Sequence, residues 1–342
     1  MIPTVAEIDA EFAERGLYLN GDGTCHRLTK DRHAEHTKGG TIFDDEEPGP
    51  VPEIVQVAEK LEPRMVRLLA TNVDAIKRAL DTEQLKAWIL AGDVAALEDA
   101  TSLSVEFENQ LTAMVAADFL IGAEIGMTTA QPHEQKADLG TLGGVFDLVN
   151  PEAIVYGKQR GSALISDMSN DQRRIVRGLV ARSVGAEYTI DELVVQLRST
   201  VGLIKQDYPL ARPLAGSESL VSDYRRQLIA EGFEGGALEQ KYNRFVEKNL
   251  RYRHRNIART EVLAAENAGQ QALWSEAHNT GLLPQNVQRS WIVTWDQRLC
   301  PYCAPMEGQT RNITESFAPG VMQPPLHPSC RCTLGLVFPK GE

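Results

Sequence analysis

The sequence has no long apolar run, no leader-like start and no familiar catalytic signature. No charge-free stretch reaches the roughly 18 apolar residues that a membrane helix needs, and the best candidate, Leu111 to Met127, is interrupted by Asp118 and Glu124. The opening MIPTVAEIDAEF has neither a basic n-region nor an apolar h-region, so no secretory leader is expected and a reducing cytosol is the default setting. Positive charge is also short. The chain carries 35 Lys and Arg against 47 Asp and Glu, a net charge of −12, which excludes a polycation built to coat nucleic acid. There is no Gly-rich phosphate loop ending in Lys-Ser/Thr, no G-x-S-x-G elbow and no H-E-x-x-H. The seven histidines are few, and none sits in a base-plus-orienter arrangement. What remains is ordinary for a folded protein: 42% hydrophobic and 24% charged residues over 342 positions, enough for roughly two domains.

Residues 1–50 hold eleven acids against five Lys and Arg and close on Asp44-Asp45-Glu46-Glu47-Pro48-Gly49-Pro50. This composition predicts a short helix at about Thr4 to Arg15, then a weakly ordered tail or hairpin. From Pro52 onward the apolar spacing is helical: Ile54, Val57, Leu61, Met65, Leu69, Val73, Ile76 and Leu80, with Pro63 expected to kink or split the run. Further helices are predicted from Thr82, over 101–126, after a cap at Ser169-Asn170-Asp171-Gln172, and from Thr189-Ile190-Asp191-Glu192. Residues 127–150 and 209–220 read as a long loop and a linker. The longest helix is predicted over Leu238 to His278, its second half striped with Ala258, Ala264, Ala265, Ala268, Gly269 and Ala272, small residues that let another element approach closely. After Pro284 the period falls to two: Trp291, Val293 and Trp295 argue a strand, as do Thr333 to Phe338 and Gly308 to Ile313. The fold class expected is mainly α, with a small α+β C-terminal module of a long helix and a short antiparallel sheet. The chain divides, on this reading, into an acidic segment 1–50, a helical domain 51–160, a helical region 161–237 and a C-terminal domain 238–342.

Four of the five cysteines fall in the last 43 residues: Cys300-Pro-Tyr-Cys303, then 26 residues, then Cys330-Arg-Cys332, with His327 three residues ahead. Such clustering in a reducing setting suggests metal more than disulfide. Zn²⁺ takes about four N or S ligands at tetrahedral positions, so four of the five residues Cys300, Cys303, Cys330, Cys332 and His327 would complete a structural site. On an alternating strand Cys330 and Cys332 share one face, which leaves His327 as fourth ligand or as a supporting residue. The plain alternatives are reduced thiols packed as small apolar side chains, or a redox pair. Cys25, with His33 and His36 in a polar, turn-rich stretch that also holds His26, is a weaker metal candidate beside a solvated loop.

Lys241 to Arg259 carries seven Lys and Arg against the single acid Glu247. Lys248, Arg251, Arg255 and Arg259 form an approximate stripe on a helix, suited to DNA phosphates, to an acidic protein surface or to solvent. Arg259 with Glu261, and Asp296 with Arg298, place opposite charges beside apolar elements and read as structural ion pairs rather than as an acid/base pair.

Taken together, R-x-I-A-R-T-E-x-x-x-A-x-N-x-G (Arg255 to Gly269), W-x-V-T-W-D-x-R-x-C-x-x-C (Trp291 to Cys303), M-x-G-Q (Met306 to Gln309), Phe317 and P-P-L-H-P-S-C-R-C-T (Pro324 to Thr333) resemble the C-terminal domain of the phage Mu F-like minor head, or head morphogenesis, proteins of tailed bacteriophages. The clear likeness covers about 255–335, with a looser one reaching back to about 165. The resemblance implies a minor capsid protein rather than an enzyme. Such a protein acts in procapsid assembly near the portal, in the virion interior or the host cytoplasm. It implies contacts with portal protein and major capsid or scaffold proteins, and with packaged double-stranded DNA, and no membrane. The paired cysteines fit a structural Zn knuckle, and no toxin module is expected after Phe338. The competing reading is a zinc-dependent nuclease or toxin-like effector carried in the particle.

Overall fold

A computed structural model of the chain describes residues 17–19, 25–27, 51–129, 151–184, 189–203, 217–295, 302–318 and 320–338. Among these, eight α-helices and five strands form, in order β1 (Leu17–Leu19), β2 (Cys25–Arg27), α1 (Glu53–Ala79), α2 (Thr82–Ala91), α3 (Val94–Ala100), α4 (Val105–Thr129), α5 (Pro151–Val184), α6 (Ile190–Thr200), α7 (Glu218–Ala230), α8 (Gly235–Asn279), β3 (Gln288–Ile292), β4 (Thr310–Asn312) and β5 (Thr333–Val337). The protein is mainly helical with a small antiparallel C-terminal sheet, as its patterning predicts. β1 and β2 pair antiparallel. The helix expected over Thr4 to Arg15 lies outside the described residues; of the loop expected at 127–150, residues 127–129 continue α4 as helix and 130–150 lie outside the described residues.

The chain forms two compact units, each discontinuous in sequence: one of Met1–Glu62, Met114–Gly157 and Asn256–Glu342, the other of Pro63–Ala113 and Lys158–Arg255. The sequence reading divides the chain into consecutive blocks instead. The unit boundaries fall inside α1, α4, α5 and α8, each of which runs on as helix across its boundary. Pro63 is the instructive case. α1 runs unbroken through it, although proline removes one N–H and crowds the preceding turn. Buried Ile54, Val55 and Ala58 before it, and Met65, Leu69 and Val73 after it, hold both halves in helix.

Among its described residues, the unit of 63–113 and 158–255 is a helical bundle with an aliphatic core: Val73, Ile76, Leu97, Ile175, Val176, Leu179, Leu197, Val246 and Leu250 are among its buried members. Its helix starts are chemically marked. Thr189 caps α6 with a reciprocal capping box to Glu192, and Asp81, Asp93 and Ser217 cap α2, α3 and α7. Ser169 to Gln172, predicted as a cap, instead lie within α5. Their polar groups serve tertiary bonds: Asp171 accepts from Arg253 at 2.9 Å, and Gln172 accepts from the Gly202 N–H at 3.1 Å. A polar run opens a helix only when no earlier turn is already helical.

In the other unit, β3 is the central strand of a sheet ordered β4-β3-β5, with Ser290 opposite both Thr310 and Gly335. The sheet shares a core with the end of α8: Trp274, Trp291, Phe317, Leu334 and the cysteines 303, 330 and 332 form one apolar cluster. α4 is long and apolar enough to cross a membrane by length and composition. Within this unit, though, it packs against α8 at backbone contact. A Cβ on Gly122 would stand 1.9 Å from the Glu266 carbonyl oxygen, and one on Gly269 1.7 Å from that of Phe119. The Trp274 indole donates to the Gly126 carbonyl at 3.0 Å beside this crossing.

Candidate metal centre and cationic helix face

Cys303 immediately precedes a 3-10 turn, Ala304–Met306, that follows the strand β3. Cys330 and Cys332 lie just ahead of β5 and alternate about Arg331, whose guanidinium reaches Glu59 at 3.1 Å while both thiols are buried. The three sulfurs lie within 4.8 Å of one another and could hold a metal ion. The Sγ atoms of Cys303 and Cys330 are 3.7 Å apart. A tetrahedral site with metal–sulfur bonds of about 2.3 Å has S···S edges of about 3.8 Å, so this pair already stands at the required spacing. His327, also buried, brings Nε2 to 3.1 Å from Cys303 Sγ. Cys300 lies outside the described residues.

The local field splits the thiols. Burial alone pushes the Cys330 thiol up, but hydrogen bonds from Cys303 and Cys332 more than offset it, and Cys330 falls well below the ordinary thiol value. Cys332 moves the other way: Cys303 favours its thiolate, yet its bond to Cys330 and its burial hold it well above that value.

The loop that carries these residues is latched to α8. The Ser329 N–H donates to Thr260 Oγ1 at 2.9 Å, and the Ser329 hydroxyl to Asn256 Oδ1 at 2.8 Å. Asn267 Nδ2 donates to the Cys332 carbonyl at 3.4 Å, and the Thr333 hydroxyl donates to Asn267 Oδ1 at 3.0 Å. Thr294 Oγ1 donates to the Arg331 carbonyl at 2.6 Å. Thr260 and Asn267 are letters of the R-x-I-A-R-T-E-x-x-x-A-x-N-x-G string, and Gly269 is the close-approach position. The string therefore reads, physically, as the docking edge for the cysteine loop and for α4.

Arg289 is a residue the sequence does not advertise. Fully buried in β3, it donates to Gln271 Oε1 at 2.6 Å, to the Met322 carbonyl at 2.8 Å and to the carbonyls of Asn312 and Glu315. Burial lowers its pKa to about 10 against the pull of Glu315. A lone Arg on a strand carries no pattern from which this hub is legible.

Of the cationic residues, Lys248, Arg251 and Arg255 are exposed on α8. Lys241 and Arg244 are exposed as well, so five cations recur at spacings of three and four over about 21 Å of helix. Arg244, Lys248 and Arg251 make no ion pair among the described residues. Arg259 turns instead to Glu62, 3.2 Å away and largely buried. Glu261 is buried. Asp296 and Arg298 lie outside the described residues, as do His33 and His36, while Cys25 and His26 belong to β2.

Compared with known proteins, residues 222–335 match the family described as Phage Mu protein F like protein. The matched segment spans most of α7, all of α8, strands β3 and β4, the stretch from Cys303 to Cys332 and the first three residues of β5. No curated protein and no solved structure matches the chain.

Proposed function

We propose that this chain is a minor head component of a tailed bacteriophage, acting in procapsid assembly near the portal and in the finished virion. The match of 222–335 points to phage head morphogenesis. The observation that carries the structural reading is that the buried Cys303, Cys330, Cys332 cluster lies within the matched segment and is latched by that segment's own motif residues. Thiolates with imidazole are donors suited to Zn²⁺. When bound, zinc would cross-link the turn after β3 to the strand entry of β5, which matters because so small a sheet buries little on its own. The residues do the rest: Asn256, Thr260 and Asn267 orient the loop, and the apolar cluster around Trp291 keeps water from the sulfurs.

In this reading the five-cation face of α8 is the contact for packaged double-stranded DNA, by phosphate neutralisation without base reading. The portal and the major capsid or scaffold proteins are the protein partners. The chain's role is mechanical rather than catalytic. Quantitative mass spectrometry of purified particles and procapsids tests the assignment. The expected result is the chain at a few copies per particle relative to the major capsid protein; its absence from both overturns the assignment.

A further inference from the structure

The geometry points to the Trp291 indole as an outer support of the metal site: its Nε1–H donates to the Cys332 sulfur once that sulfur binds metal as a thiolate. The inference rests on the zinc reading above and goes beyond it by naming a residue that tunes the site without ligating. Trp291 is fully buried in β3 and belongs to the same apolar cluster as Cys303, Cys330 and Cys332. Its Nε1 is buried and has no hydrogen-bond partner among the described residues. An indole N–H is a donor only, and a buried one ordinarily finds an acceptor. Trp274, buried in the same cluster, does so at the Gly126 carbonyl, 3.0 Å away. Among the buried side chains of that cluster, the three thiols alone can accept a hydrogen bond.

Strand register selects the sulfur. The Trp291 N–H donates to the Gln309 carbonyl at 2.9 Å and its carbonyl accepts the Gly308 N–H at 2.9 Å, so its main chain bonds away from β5. Trp291 therefore meets Leu334 of β5 as a non-hydrogen-bonded pair, the kind whose side chains lie closer. Cys332 precedes Leu334 by two residues and takes the diagonal position, about 7–8 Å away in such a ladder and within reach of an aromatic side chain. The Thr294 hydroxyl, bonded to the Arg331 carbonyl, carries this alignment past the end of the ladder. After the larger effects of Cys303, Cys330 and burial, the indole also acts on the Cys332 thiol, in the sense that favours thiolate. A protonated thiol is a weak acceptor, whereas a coordinating thiol is deprotonated outright, and an N–H bond to it is charge-assisted. Trp291 is thus a positioning residue that holds the thiolate from outside the ligand set.

NMR of the full-length protein, isotope-labelled at the indole nitrogens and loaded with spin-active cadmium in place of zinc, tests this. The Trp291 Nε1–H resonance, recognised by its loss in Trp291→Phe, should move downfield on loading. It should show a through-bond correlation to cadmium and an NOE to the Cys332 β-protons. The Trp274 indole, already bonded to Gly126, should show neither. Trp291→Phe keeps an aromatic ring beside Phe317 and should lose about 10–100-fold in zinc affinity against a chromophoric chelator. Should that variant fail to fold, NOEs to Leu334 identify the resonance and the wild-type spectrum decides alone. A loaded wild type without the Trp291 correlation, an NOE to Cys303 or Cys330 in place of Cys332, or unchanged affinity in Trp291→Phe overturns the assignment and leaves the zinc reading standing. A wild-type chain that takes up neither zinc nor cadmium overturns both.

Discussion

Two stretches of the same helix are built on opposite plans. Over 241–255, α8 turns five cations outward and buries Tyr242, Val246 and Leu250 on an aliphatic core. From Thr260 to Gln271 every residue is buried, six of them polar or charged. The first stretch is an amphipathic helix with one apolar stripe, to which buried Asn249, Arg253 and His254 are the polar exceptions. The second has no solvent face, so its polar side chains need specific partners, and the cysteine loop supplies several. A stripe tolerates change by position, whereas a latch does not.

The largest expected break in that contrast is at the cluster. Cys330→Ser in the metal-loaded chain should cost several kcal/mol, since binding free energy at a structural site is folding free energy. Limited proteolysis should then cut within 302–338 and spare the 63–113 and 158–255 unit. Equal resistance of 302–338 in variant and wild type would count against the clamp.

Next come the glycines of the α4–α8 crossing. Gly122→Ala and Gly269→Ala place a methyl against backbone, where only chain movement can relieve it, at about 3 kcal/mol or more. Gly236→Ala, with nothing within 4 Å of its Cβ, is the control and should be neutral or slightly stabilising. Urea midpoints decide; similar values for all three would mean the crossing is looser than described.

A comparable effect belongs to the other unit. Burial, then the Arg253 and Lys77 charges, lower the pKa of His254 to about 4 from 6.5. The unfolded chain therefore takes up the proton first, so stability is lost as pH falls from about 6.5 to about 4 and levels off below. The total is about 3 kcal/mol. His254→Gln should flatten that acid limb in unfolding measurements between these pH values. An unchanged limb would place the titrating group elsewhere.

The smallest effect on stability is expected on the cationic face. Lys248→Ala with Arg251→Ala should leave the unfolding free energy within about 0.5 kcal/mol. The same variant should lower the slope of log affinity for duplex DNA against log salt by about 2. A wild type without salt-dependent DNA binding would turn the face toward a protein partner instead.

Much of this was legible in the sequence because it rests on local chemistry. The three-and-four spacing of apolar residues marks α1, α6 and α8, Thr189 with Glu192 writes a capping box, and alternation about Trp291 marks the central strand. Cys303, Cys330 and Cys332 could be grouped, with Cys300 and His327 as further candidates, because metal chemistry demands their proximity. Other features were illegible for physical reasons. The polar run Ser169 to Gln172 looks like a cap, but Asp171 and Gln172 find tertiary partners in mid-helix. Arg259 has the spacing of the cation stripe, yet Glu62, almost two hundred residues away, claims it. Arg289 gains its role from four carbonyl and amide acceptors that no spacing rule brings together.

The central claim is that the C-terminal segment is a metal-stapled assembly part. Native mass spectrometry of the full chain purified without chelator, paired with limited proteolysis before and after chelation, tests it most directly. One zinc per chain, with 302–338 becoming cleavable once it is removed, is the expected result. A metal-free chain whose 302–338 segment resists protease equally in zinc and in chelator would contradict it.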